Sequence, residues 1–157
     1  MSTRNVLFVC TGNTCRSPMA EALLKKALGD NSVVTVGSAG VGAMAGQPAS
    51  SETVQIVRSK EASLQGFKSR QIDERLLSES DLIVAMTSSH AAIVKQFSPD
   101  CDDSLSLLCD FIDGDENLAG ADVPDPIGMG SRAYEEVAAV IELALPGIIR
   151  RLDTPSA

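Results

Sequence analysis

The chain has no tryptophan, one tyrosine, one histidine and four cysteines in 157 residues. So few rings leave little material with which to sandwich an aromatic substrate. Cationic side chains are also scarce: 13 lysines and arginines face 21 acidic residues, a net charge of −8. Such a surface argues against nucleic acid or an anionic membrane as a general partner, while leaving room for a small local positive pocket. No apolar run approaches the ~18 residues of a membrane span, and the run Val6–Val9 is too short for the core of a secretory signal. A reducing, cytoplasmic setting is therefore expected, with the cysteines as free thiols. Repeats, low-complexity tracts and long linkers are absent, so residues 1–157 are expected to form one domain, large enough for a core without disulfides or metals.

What the chain does have is alternation. Apolar runs rich in Val, Ile and Leu predict buried strands at Asn5–Val9, Ser32–Val36, Asp81–Met86 and Ser104–Leu108. Between them Ala20, Leu23, Leu24 and Ala27 recur at helical spacing, with Ser17 as the expected cap and Pro18 at the first position. Ser51–Lys60 and Ile72–Glu79 are further helix candidates. Tyr134, Val137, Ala138 and Ile141 make an apolar stripe on a last helix, expected to kink around Pro146. Gly37–Gly46 reads as a loop. Strands alternating with helices imply an α/β fold, a parallel sheet covered on both faces, with ligands beyond the carboxyl ends of the strands.

The stretch Cys10-Thr11-Gly12-Asn13-Thr14-Cys15-Arg16-Ser17-Pro18 sits at such a strand end. With four cysteines and eight arginines, a cysteine five residues ahead of an arginine arises by chance about one time in five. Context carries the claim: strand, glycine-containing loop, helix start. Backbone N–H groups of Thr11 to Arg16 and the first helical turn suit a bound dianion. Arg16 adds a planar fork that grips two phosphate oxygens. The same positive surroundings favour the thiolate of Cys10, the nucleophilic form. Ser17 can donate a hydrogen bond to that sulfur. Asn13 tolerates left-handed backbone angles and can brace the loop through its amide.

Cys10 with Arg16-Ser17-Pro18 resembles the signature loop of the low-molecular-weight protein tyrosine phosphatase family. The likeness continues in Ser38-Ala39-Gly40, in Asp81-Leu82-Ile83-Val84-Ala85-Met86, and in Asp125-Pro126 followed by Tyr134. It implies a three-layer, flavodoxin-like sheet of four parallel strands and a two-step reaction through a phosphocysteine, with neither metal nor cofactor. On that mapping Cys10 is the nucleophile, Arg16 holds the phosphoryl group and Asp125 is acid, then base. Thr11, Gly12, Asn13, Thr14, Cys15 and Ser17 line the phosphate site. The implied partners are phosphorylated proteins, with inorganic phosphate or vanadate as active-site ligands. Asp125 makes chemical sense by itself, since a leaving atom needs a proton and the same carboxylate can then activate water. It lies in a long acidic segment, Asp110 to Gly130, that suits a flexible catalytic loop. Asp122 is the weaker rival, lacking a following proline; Asp113, Asp115 and Glu116 read as solvated.

Thr14 departs from members that act on phosphotyrosine, which commonly carry an aliphatic residue there to pack against the ring. In this it resembles the bacterial protein arginine phosphatases. A hydroxyl can accept a hydrogen bond from a guanidinium while Asp125 supplies opposite charge. Against this, Met44 and Phe67 are available as an apolar wall for a ring. Cys15 is close enough in sequence to form a disulfide with Cys10 under oxidation, which would protect the nucleophile. Cys101 and Cys109 read as packing residues, and His90 as a helix-surface residue with no catalytic task. Two rival classes remain. Arsenate reductases of this fold carry a glutamine where Pro18 stands and a redox cysteine pair just after the third strand, where this chain has Met86-Thr87. A non-catalytic phosphate-binding module would need neither nucleophile nor acid.

Overall fold

Residues Leu7 to Val9 and Leu82 to Ala85 are almost wholly buried, as central strands of a parallel sheet must be when helices cover both faces. The computed structural model describes residues 4–30, 32–115 and 117–153. In chain order the elements are β1 (Arg4–Cys10), α1 (Arg16–Leu28), β2 (Val34–Gly40), α2 (Ser51–Ser59), α3 (Glu74–Ser78), β3 (Leu82–Ala85), α4 (Ser88–Phe97), β4 (Leu105–Leu107), a 3-10 turn (Leu108–Phe111) and α5 (Ser131–Asp153). The four strands are parallel in the order β2-β1-β3-β4. The expected α/β fold, with a four-stranded parallel sheet between helical layers, is the one observed.

The strand period of two sorts β1 between the layers. Val6, Phe8 and Cys10 share a core with residues of α1, α2 and α5, whereas Leu7 and Val9 pack with Ile72, Leu77 of α3 and Val94 of α4. Cys10 therefore ends its strand on the α1 and α5 side. Beyond the carboxyl ends of β1 and β3, chain connections leave in opposite directions, which opens a crevice there.

Three boundaries differ from the expectation. The second strand runs through Gly37-Ser38-Ala39-Gly40, paired residue by residue with Leu7–Cys10. Small residues there carry no apolar signal, yet they are needed for close approach. A Cβ on Gly40 would stand 2.4 Å from the Thr11 carbonyl oxygen, and one on Gly37 2.5 Å from Arg70 Nη2. α1 starts two residues early, with Cys15 at its cap position and no side-chain capping bond. Ser17 is thus inside the first turn, and Pro18 is accommodated there because that turn's N–H groups have no helical acceptor. α3 is short because Asp73 caps it, accepting from the Leu76 N–H at 2.7 Å, while Ile72 N–H bonds the Gly40 carbonyl. α5 continues through Pro146. Gly147 lets it lie against the 3-10 turn, since a Cβ there would meet the Phe111 carbonyl oxygen at 2.2 Å. Cys101 and Cys109 are buried, and burial pushes both thiols above their usual range. Among the described residues no helix is long and apolar enough to cross a membrane.

Candidate active site

The loop after β1 is shaped by where its carbonyls go. Those of Cys10, Thr11, Thr14 and Cys15 accept from the N–H groups of Val41, Gly42, Ser50 and Met19, at 2.9, 3.0, 2.8 and 3.2 Å. In a trans peptide the N–H points opposite to the C=O. The amides of Thr11, Gly12, Cys15 and Arg16 are therefore turned to the other side, into the loop. Asn13 makes the bend with φ 56°, a left-handed conformation its residue type tolerates. Inward N–H groups ahead of a helix start form a concavity suited to an anion.

Arg16 is 5% exposed and is held at both ends of its fork. Nη1 donates to the Val123 carbonyl at 2.9 Å. Nη2 lies 3.5 Å from Thr11 Oγ1 and 3.9 Å from Asp125 Oδ2. Val123 is itself pinned, its N–H bonding the Met86 carbonyl just past β3 at 2.9 Å. That peg brings the distant acidic segment over the loop and sets Asp125 two residues beyond it. Asp125 stays half exposed, and its Oδ1 accepts from the Ile127 N–H at 3.1 Å.

The structure brings together most of the residues singled out in the sequence. Cys10 Sγ is 2.9 Å from Ser17 Oγ. Asn13 Nδ2 reaches Ser17 Oγ at 2.8 Å and Ser38 Oγ at 2.9 Å, and Asn13 Oδ1 accepts from the Arg70 N–H at 3.0 Å. Ser38 donates on to Glu21 at 2.7 Å. Cys15 faces a different set: Tyr134 OH at 3.4 Å, Ser50 Oγ at 3.5 Å and Thr14 Oγ1 at 3.7 Å. Burial, and next the hydrogen bond with Cys15, hold the Tyr134 hydroxyl above its usual range, so it stays protonated.

Other residues fall elsewhere. Asp122 accepts from the Ser88 N–H at 2.8 Å, tying down the first turn of α4. Asp113 pairs with Arg150, Asp115 accepts from the Asn117 N–H, and Glu116 lies outside the described residues. Phe67 lines a cleft of about 310 Å³ with Glu21, Lys25 and Arg70, and Met44 is exposed. His90 is a correction. It is 4% exposed, not on a helix surface, because the first turn of α4 packs onto the loop. Its Nε2 lies 2.8 Å from Thr11 Oγ1. Burial first, and then the charge of Arg16, push it down to about 4, so the ring is neutral near pH 7.

Sequence reasoning missed Val123, whose contribution is a backbone carbonyl and has no side-chain signature. Ser38 and Glu21 also had no role legible in the sequence, although Ser38 belongs to the family-like Ser38-Ala39-Gly40. Among the described residues no cluster of His, Cys, Asp and Glu is arranged to hold a metal ion.

Comparison with known proteins gives the same picture over nearly the whole chain. The family model described as "Low molecular weight phosphotyrosine protein phosphatase" matches residues 5–156. The protein-arginine-phosphatase of Bacillus subtilis is 34% identical over 149 residues, covering 94% of this chain and 96% of that one. The low molecular weight protein-tyrosine-phosphatase Etp of Escherichia coli is 33% identical over 148 residues, 94% of each. The solved structure of the YwlE arginine phosphatase from Geobacillus stearothermophilus superposes with a TM-score of 0.84 at 32% identity, covering 95% of this chain and 92% of that one.

Proposed function

The chain belongs to the low molecular weight phosphotyrosine protein phosphatase family and is a protein phosphatase, and from that premise we propose that it works through a phosphocysteine on Cys10 and prefers phosphoarginine. The Cys10 thiolate attacks phosphorus as the bond to the leaving atom breaks. Arg16 and the inward amides hold the three equatorial oxygens, whose charge the loop is built to receive. Asp125 gives a proton to the leaving nitrogen or oxygen. It then takes one from water as that water attacks the phosphocysteine, releasing inorganic phosphate and restoring the thiolate.

The substrate reading rests on one observation, the half-buried Thr14 in the loop. Its hydroxyl offers an acceptor to a guanidinium, and Asp125 adds a carboxylate. Identity does not decide between substrates, since relatives named for each are equally similar. A phosphotyrosine reading is favoured by Met44, Ile127 and Met129, large apolar side chains left exposed. Arsenate reduction has less support: Cys101 and Cys109 are buried in separate cores, and Met86-Thr87 follow β3.

The test is kcat/KM on matched phosphoarginine and phosphotyrosine peptides for wild type and Thr14→Ile. Leaving a guanidinium donor unsatisfied should lower phosphoarginine turnover by roughly ten- to hundredfold, while an added aliphatic contact raises phosphotyrosine turnover. If both fall together, Thr14 only shapes the loop and the phosphoarginine reading is lost.

A further inference from the structure

Thr11 Oγ1 lies between two nitrogens, His90 Nε2 at 2.8 Å and Arg16 Nη2 at 3.5 Å. A guanidinium has no acceptor, so Arg16 can only donate. The role of the imidazole depends on which nitrogen carries its proton. His90 Nδ1 is buried and has no hydrogen-bond partner among the described residues. An orphaned buried N–H is rarer in native structures than an acceptor with an unused lone pair. The proton therefore belongs on Nε2, which donates to Thr11. With donors on both sides, the single hydrogen of the Thr11 hydroxyl has to point away from both. Thr11 is the exposed residue of the loop, and Asp125 Oδ2 stands 3.9 Å from the same Arg16 nitrogen.

We propose that His90 is a positioning residue for the phosphatase reaction: its Nε2–H sets the Thr11 hydroxyl so that its hydrogen is donated to the phosphoryl oxygen beside Arg16 Nη2. The inference rests on reading the Cys10–Arg16 loop as the phosphoryl site. A histidine suits the task because it can donate at this point while staying neutral. A lysine or arginine would set a second cation against Arg16, and an aliphatic residue would leave the hydroxyl free to rotate. The Thr11 hydroxyl touches the His90 ring, and the charges of Arg16, Asp122 and Asp125 act on it. Because the Thr11 hydrogen bond goes to the phosphoryl group and not to the leaving group, its loss should affect all phosphorylated substrates alike.

The experiment is a double-mutant cycle on kcat/KM with p-nitrophenyl phosphate and a phosphoarginine peptide, together with competitive inhibition by inorganic phosphate. The variants are His90→Leu, His90→Gln, Thr11→Val and His90→Leu with Thr11→Val. Each of His90→Leu and Thr11→Val should lose about tenfold on both substrates, the size of one hydrogen bond, and phosphate should inhibit both variants more weakly. The double variant should be no worse than Thr11→Val alone. Gln places an amide N–H near the position of Nε2, so His90→Gln should recover most of the loss. Melting temperatures identify any variant that fails to fold, and His90→Gln carries the test if His90→Leu does. Losses that multiply to about a hundredfold in the double variant would overturn the proposal, as would a folded His90→Gln as poor as His90→Leu. If phosphate does not compete with substrate in the wild type, the reading of the loop itself fails.

Discussion

Ser17 Oγ lies 2.9 Å from Cys10 Sγ and has one direction in which to point its hydrogen. Asn13 Nδ2 donates to Ser17 at 2.8 Å and to Ser38 at 2.9 Å. Ser38 has already committed its hydrogen to the Glu21 carboxylate, which only accepts. The far side of the amide meets the Arg70 N–H, which only donates. Turning the Asn13 amide over would oppose donor to donor at Arg70, so its orientation is set. Ser17 consequently receives from Asn13 and gives to the sulfur.

Ser17→Ala should therefore slow the second half of the reaction more than the first. The thiolate that departs from phosphocysteine would lose a hydrogen bond to a charged group, worth about 1.5–3 kcal/mol. Stopped-flow hydrolysis of p-nitrophenyl phosphate should show a burst of p-nitrophenolate and a lowered steady-state rate. An unchanged kcat would mean that the Ser17 hydroxyl does nothing for the sulfur.

Asp125→Asn should depend on the leaving group. With p-nitrophenolate, which departs without a proton, the loss should be smaller than with poor leaving groups, where general acid catalysis contributes roughly 10²–10⁴-fold. Asp122→Ala is the contrast. Its carboxylate ties the first turn of α4, so it should cost about 1 kcal/mol of stability and show no leaving-group trend. A uniform loss in Asp125→Asn would assign that residue to positioning.

Peroxide should inactivate the enzyme in a manner that dithiothreitol reverses. The Cys10 thiolate reduces peroxide, becoming a sulfenic acid; the Cys15 thiol then attacks that sulfur, expelling water and forming the disulfide. Cys15 must first leave Tyr134 and Ser50. Tyr134→Phe should thus speed bridge formation, and Cys15→Ser should make recovery worse. Peptide mapping that finds no Cys10–Cys15 bridge would remove this device.

Stability should fall in mild acid because of His90. Its folded value of about 4 lies below the ordinary 6.5, so between these values the unfolded chain takes up a proton that the folded one does not. The contribution is complete above about pH 6.5, declines as pH falls towards 4, and levels off below. Urea midpoints at about pH 7 and pH 4.5 should differ less for His90→Gln than for wild type. Equal differences would mean that His90 titrates alike in both states.

The loop from Cys10 to Arg16 was legible in the sequence because its chemistry is contained in seven neighbouring residues. β1 and β3 were equally legible, since strands covered on both faces leave unbroken apolar runs. β2 was misplaced because Gly37-Ser38-Ala39-Gly40 joins the sheet for the space it leaves, and an absent side chain has no periodicity to read. Ser17 was expected both to cap a helix and to reach the Cys10 sulfur; the contact with sulfur is found, whereas the cap position falls to Cys15. Thr11 and His90 are 79 positions apart, and Arg16 and Val123 are 107. Periodicity tells which face of an element is buried, not what it is buried against. Only the sheet order, with β3 beside β1, brings the start of α4 and the Val123 carbonyl onto the loop. That order is selected by packing of the whole core.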